Sequence, residues 1–279
     1  MKETKPVSSC PVCGTKETIR DFTVSREDKF AITETRRKTP ARYSECSFCR
    51  LMYLHDTPDY ENVYSEGFYY GAEGTPEEFF EKRFSFVINL PEEKSDNHAR
   101  VKRINAFIEN YQPLQKEKQY TVLDIGAGMG VFLYKFLSAE KWQGTAVEPD
   151  PHASAHIQKH MPEARVVKGY LSDVGTTGKF SLITLNRVLE HIFDPVSFLK
   201  EVKKYLAGNG ILYIELPDTL SFFEDGPDNE AFGYGHYHVY SPLSLVMLCN
   251  ICGYEVLSVE RCKEPSGKFT IYTFVCPGK

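Results

Sequence analysis

Thr121-Val-Leu-Asp-Ile-Gly-Ala-Gly-Met-Gly-Val-Phe132 is an apolar run that meets a carboxylate and then three glycines at alternate positions. Val122, Leu123 and Ile125 suit a parallel strand covered on both faces, whereas Val131, Phe132, Leu133, Phe136 and Leu137 recur at helical spacing. The stretch therefore reads as a buried strand that turns into a helix. Gly126, Gly128 and Gly130 occupy the turn, where a missing Cβ permits a sharp bend and the close approach of a ligand. A dinucleotide fingerprint of the form G-x-G-x-x-G would need glycine at position 131, which holds Val131.

Outward from this turn, strands and helices alternate. Trp142-Gln-Gly-Thr-Ala-Val-Glu148 is a second strand ending in an acid, and Pro149 with Asp150 starts a helix from Pro151 to Met161. Arg165 to Gly169 is short enough for a third strand. Phe180 to Asn186 is a fourth, running into Leu189-Glu190-His191 and a helix over 195–206 that Gly208-Asn-Gly210 is expected to cap. Gly210 to Leu216 gives a fifth strand, and Tyr254 to Glu260 with Lys268 to Val275 close the set. This alternation predicts a Rossmann-like, doubly wound α/β sheet of seven strands, with ligands at the carboxyl ends. Ahead of it, Pro76–Phe86 and His98–Tyr111 read as helices, while 218–240 has no clear period and reads as a loop.

Eight cysteines in a chain with no apolar run long enough to span a membrane, and a charged start, point to a reduced, cytoplasmic protein. Cys10-Pro-Val-Cys13 and Cys46-Ser-Phe-Cys49 are two knuckles that together supply four thiolates to one tetrahedral zinc. Four sulfurs leave no open position for water, so such a metal staples a small module, a zinc ribbon with strands near residues 20–24 and 40–45. Cys249 and Cys252 share the spacing, but they end an apolar helix before Gly253 and are expected to pack in the core. The boundary falls near residue 75, giving a zinc ribbon with a tyrosine-rich connector over 1–75 and the large domain over 76–279. In that connector Tyr53, Tyr60, Tyr64, Phe68, Tyr69 and Tyr70 suit either a pocket wall or inter-domain packing. Thirty-three basic against 38 acidic residues gives −5, which disfavours nucleic acid despite Arg36-Arg-Lys38 and Arg42.

Asp124, the G-x-G-x-G turn and Glu148 at the end of the next strand resemble the class I S-adenosylmethionine-dependent methyltransferases, and the V-L-E-H-x-x-D-P segment from Val188 to Pro195 extends the likeness. The resemblance implies that Glu148, followed by Pro149, takes the ribose. It sets Asp124, Gly126, Ala127 and Gly128 against the methionine part, Tyr170 and Leu171 by the adenine, and Asn186 in the pocket wall. An acid is usual directly after the third strand, but here Asp173 comes later. Gly235-His-Tyr-His-Val-Tyr-Ser-Pro-Leu-Ser-Leu245 resembles a pattern of bacterial methyltransferases with an N-terminal zinc module, sugar methyltransferases among them, although Gly235 and Val239 replace that pattern's Glu and Tyr. Of its Glu-His pair only His236 carries over. Since the sulfonium donor supplies the reactivity, the protein's share is alignment and proton removal, for which His236, then His238 and His191, are the candidates. The expected acceptor is a small molecule, a nucleotide sugar or a glycan, methylated on oxygen rather than carbon. The rivals are an RNA methyltransferase gripping its substrate through the ribbon and a scaffold that binds cofactor without turnover.

Overall fold

The computed structural model describes residues 7–24, 40–55, 75–111, 114, 119–138, 141–175, 178–233 and 235–278. The basic run at Arg36–Lys38 and the tyrosines from Tyr60 to Tyr70 lie outside the described residues. Near the start, β1 (Thr18–Val24), β2 (Ala41–Cys46) and β3 (Met52–Leu54) form an antiparallel sheet. Helices α1 (Pro76–Ile88) and α2 (Asp96–Asn110) follow. The first opens on a reciprocal cap between Thr75 and Glu78.

The glycine-bearing stretch then forms β4 (Tyr120–Ile125) and α3 (Val131–Phe136), and the chain alternates through β5 (Trp142–Glu148), α4 (Pro151–His160), β6 (Arg165–Lys168), β7 (Phe180–Asn186), α5 (Pro195–Lys203) and β8 (Leu206–Pro217). After α6 (Leu220–Asp225) and the two-residue β9 (His238–Val239) come α7 (Pro242–Ile251), β10 (Tyr254–Lys263) and β11 (Phe269–Pro277). The seven-stranded sheet has the order β10-β11-β8-β7-β4-β5-β6, parallel from β8 to β6, with β11 antiparallel to both its neighbours. β4 lies where the winding reverses, so its carboxyl end and those of β5 and β7 open a crevice. Period-two alternation sorts the core: Val122 and Leu182 pack with Ile104, Phe132 and Ile157, whereas Leu123 and Ile183 pack with Leu199, Leu245 and Leu248.

Two local expectations are corrected. α5 ends at Lys203 on a right-handed Lys204, and residues 206–217 are strand, with neither Gly208 nor Gly210 at positive φ. A Cβ at Gly210 would stand 2.8 Å from the Phe180 carbonyl oxygen, so this glycine lets β7 and β8 approach rather than capping a helix. The 218–240 segment is also more ordered than a loop. It carries α6, a short 3-10 turn at Glu230–Phe232 and β9, which pairs with β3 through Met52↔Val239 and Tyr53↔His238. Cys249 and Cys252 are buried in the core, and Gly253 (φ 76°) ends α7 as expected.

Packing crosses residue 75. Cys10, Cys46, Cys49, Leu51 and Tyr53 share a hydrophobic cluster with Tyr240, Leu245 and Leu248, and Ser241 Oγ donates to the Cys49 carbonyl at 2.7 Å. The N-terminal part is thus built into the wall of the large sheet. No described helix is long and apolar enough to cross a membrane.

Candidate active site

Gly126 and Gly128 hold left-handed conformations, φ 69° and 56°. A Cβ on Gly126 would stand 2.7 Å from Val188 Cγ2, whereas one on Gly128 would meet nothing within 4 Å. The turn is therefore packed on one side and open on the other. Gly126 and Ala127 both donate to the Val147 carbonyl, at 2.8 and 3.1 Å, which fixes the turn on β5.

Carboxylates close the crevice. Glu148 Oε2 accepts from Gly128 N at 2.7 Å and Oε1 from Asp150 N at 2.9 Å, while Asp150 caps α4 through the amides of His152 and Ala153. Burial pushes Glu148 up to about 7 against the pull of those two amides. Asp124 Oδ1 accepts from Thr184 Oγ1 at 2.7 Å and from Asn186 Nδ2 at 2.9 Å, and burial pushes it up to about 6. The Asn186 Oδ1 is buried with no hydrogen-bond partner, an acceptor waiting for an N–H donor. Pro149 is half-buried, Leu171 is buried and Tyr170 is exposed beyond the end of β6. Asp173, late by sequence, folds back so that its Oδ2 accepts from Tyr170 N at 2.8 Å. The structure brings the expected cofactor residues to one rim. Their vicinal acceptors, glycine opening and orphan carbonyl fit a ligand with ribose hydroxyls and an ammonium group.

Val188, packed on Gly126, leads into a second polar group. Glu190, His191 and His236 place a carboxylate oxygen and two ring nitrogens within 4.8 Å of one another. His191 Nδ1 lies 3.0 Å from the Gly235 carbonyl and His236 Nδ1 2.8 Å from the Ala231 carbonyl. A carbonyl only accepts, so each Nδ1 carries the proton and each Nε2 the lone pair. The rings meet edge to face at 4.5 Å between centroids. Burial, then the neighbouring His236, holds His191 well below the usual histidine range. Glu190 is 1% exposed, and neither carboxylate oxygen has a hydrogen-bond partner. The residue caps nothing, and burial pushes it up to about 8.

His238 is placed elsewhere. It sits in β9, its ring between Tyr237 and Tyr240, on a cleft of about 190 Å³ lined also by Tyr53 and Phe193, and burial takes it down to about 3. Thr184, which orients Asp124, gave no signal in the sequence beyond its place on a buried strand.

The four expected metal ligands converge. Cys10 Sγ lies 3.5 Å from Cys49 Sγ, and Cys13 Sγ 3.5 Å from Cys46 Sγ, with all four thiols free. Sulfurs around one tetrahedral ion at about 2.3 Å would stand about 3.8 Å apart, so the set fits a metal and is too open for disulfides. Both knuckles close on a left-handed residue, Gly14 (φ 75°) and Arg50 (φ 63°), whose amides reach the Cys10 and Cys46 carbonyls. Arg50 also pairs with buried Glu45 at 2.8 Å.

Comparison with known proteins agrees with this geometry. The chain is 30% identical over 153 residues to a tRNA U34 carboxymethyltransferase of Dichelobacter nodosus, covering 51% of this chain and 47% of that protein. It is 28% identical over 102 residues to a probable S-adenosylmethionine-dependent methyltransferase of Mycobacterium tuberculosis, covering 36% of this chain and 37% of the relative. The chain thus spans less than half the length of these curated relatives. Among solved structures, the plantazolicin methyltransferase BamL shares the fold at TM-score 0.55 and 14% identity, over 71% of this chain and 91% of its own. The 1,6-didemethyltoxoflavin-N1-methyltransferase of Burkholderia thailandensis does so at TM-score 0.53 and 17% identity, over 86% and 96%. A family model described as a methyltransferase domain matches residues 94–259, more than half of the chain. With that match over the glycine turn, both carboxylates and the Glu190-His191 segment, the chain belongs to the methyltransferase-domain family.

Proposed function

We propose that the protein transfers the methyl group of S-adenosylmethionine to a hydroxyl of a small-molecule or carbohydrate-type acceptor, such as a nucleotide sugar or glycan. The observation that carries this reading is the group of buried Glu190 with half-buried His191 and His236, which begins two residues beyond Val188, the side chain packed on the cofactor turn. Glu148 holds the ribose, Gly126, Ala127 and Gly128 with Asp124 and Asn186 the methionine end, and Pro149, Tyr170 and Leu171 the adenine side. The acceptor oxygen attacks the sulfonium methyl in line, S-adenosylhomocysteine leaves, and the hydroxyl proton is taken up at His236, with His191 beside it held too far below the usual histidine range to compete. His238 is set aside as a base, since a group at about 3 has little affinity for a proton at neutral pH. C-methylation is the less favoured variant. Cys10, Cys13, Cys46 and Cys49 hold a structural zinc, and their reduced state accords with a cytoplasmic setting.

Calorimetry with S-adenosylmethionine tests the first step. The wild-type chain binds it, and Glu148→Gln weakens binding about tenfold through loss of a charged acceptor. Equal affinity in both would remove Glu148 from the cofactor site. Ionised carboxylates accept the ribose and offset the sulfonium, so affinity rises with pH as Asp124 and Glu148 ionise through about 6 and about 7. A flat titration would contradict this. Production of S-adenosylhomocysteine with sugar acceptors separates an enzyme from a scaffold. The relative from Dichelobacter nodosus keeps tRNA as the second reading, which the −5 charge opposes; salt-sensitive RNA binding would favour it.

A further inference from the structure

Three features of the Glu190 group suit an ion better than a bare base. The carboxylate is buried with both oxygens unpartnered, a costly arrangement unless a ligand repays it. Two imidazoles stand beside it, each with Nδ1–H committed to a backbone carbonyl, the support that fixes ring orientation and tautomer in metal-binding histidines. Two imidazoles and one carboxylate form a donor set that leaves coordination positions open for an acceptor's oxygens. The described residues hold one further His/Glu group, Glu81 with His156 and His160. There the carboxylate is already taken by His160 at 3.0 Å and Lys159 at 3.2 Å.

We propose that Glu190, His191 and His236 bind a divalent transition-metal cation, with imidazole-preferring ions such as Zn²⁺ or Co²⁺ favoured over Mg²⁺. The three donor atoms lie within 4.8 Å of one another, close to the spacing of ligands held about 2.1 Å from one shared ion. Binding requires nothing of the acceptor. Its use rests on the proposed methyl transfer and refines it: an ion held there would lower the pKa of an acceptor hydroxyl, whose oxygen would attack the sulfonium methyl as S-adenosylhomocysteine leaves and the proton goes to water. His236 then serves as a ligand in place of a bare base.

The test reads cation binding to the full chain, without acceptor and without turnover. Chain purified with its four-cysteine site loaded is titrated with Zn²⁺, followed by elemental analysis and calorimetry, and with Co²⁺, followed by its visible ligand-field bands. One further equivalent per chain is expected. Glu190→Gln and His236→Asn lose that equivalent while retaining the thermal melt and S-adenosylmethionine binding, and His156→Asn keeps it. Should Glu190→Gln disturb folding, His191→Asn gives the same reading. Unchanged stoichiometry in Glu190→Gln and His236→Asn overturns the proposal, as does loss of the equivalent in His156→Asn alone. A failure of the methyltransferase reading appears separately, as absent cofactor binding with the cation site intact.

Discussion

Cys46→Ser is expected to lower the melting temperature by about 5 °C and to abolish methyl transfer, whereas Cys252→Ser is expected to cost only a fraction of that. Both thiols are buried, but Cys46 belongs to the sulfur tetrad and Cys252 packs as a small hydrophobe. A structural zinc in isolated peptides contributes about 10–16 kcal/mol. Here the surrounding core retains part of the fold, and a loss of about 3 kcal/mol corresponds to about 5 °C for a chain of this size. The effect on turnover follows from geometry. β3 pairs with β9, and Tyr43 Oη donates to the His236 carbonyl at 2.6 Å, so loosening the four-cysteine part displaces the histidine of the proposed reacting site. Scanning calorimetry with and without a chelator, alongside zinc content, checks it. A metal-free chain with unaltered melting and activity would sink the zinc assignment.

Glu215→Ala is expected to destabilise the fold by about 3–5 kcal/mol, the range for removing one partner of a buried ion pair. Glu215 is 1% exposed and accepts from Arg100 Nε at 2.9 Å, Tyr213 Oη at 2.7 Å and Arg103 Nη1 at 3.3 Å. Burial alone would raise its pKa; the arginines, Arg100 foremost, reverse that and bring it to about 2. Truncation leaves Arg100 and Arg103 with less compensation inside the fold, since Glu264 pairs directly with the second and reaches the first only through space. The sign in pH follows. A depressed carboxylate contributes stability above its unfolded value of about 4.3, and this is lost as pH falls toward about 2. Asp124, Glu148 and Glu190 act oppositely: their raised values favour the fold below the unfolded value, and that contribution fades as pH rises through about 6, 7 and 8. Urea denaturation across acid pH should therefore show a steep acid arm in the wild type and a shallower one in Glu215→Ala. Parallel arms would mean that another group carries the acid sensitivity.

The parts of this molecule legible in its sequence are those whose physics is local. A strand, a glycine turn and a helix announce themselves by period within a dozen residues, and each cysteine knuckle closes within five. The partners of these pieces are not local. β9 is two residues long and pairs with a strand nearly two hundred positions earlier, so no window of sequence contains the reason for it. Gly210 looks like a cap in the sequence because a turn glycine and a close-packing glycine are alike until the opposing Phe180 carbonyl is known. Glu190 could be either a cap or a reactive group, and only tertiary burial reveals that its oxygens have no partner. Tyr53 is described at the cleft beside His238, while the rest of the tyrosine-rich connector lies outside the described residues.

The pairing of β3 with β9 has an engineering consequence. The cysteine-bearing part is no detachable cassette: grafted onto another scaffold, it would carry an open strand edge and lose the Ser241 hydroxyl that satisfies the Cys49 carbonyl. A chimera that keeps its solubility must transplant residues 236–241 along with residues 7–55, two segments remote in the gene and inseparable in space.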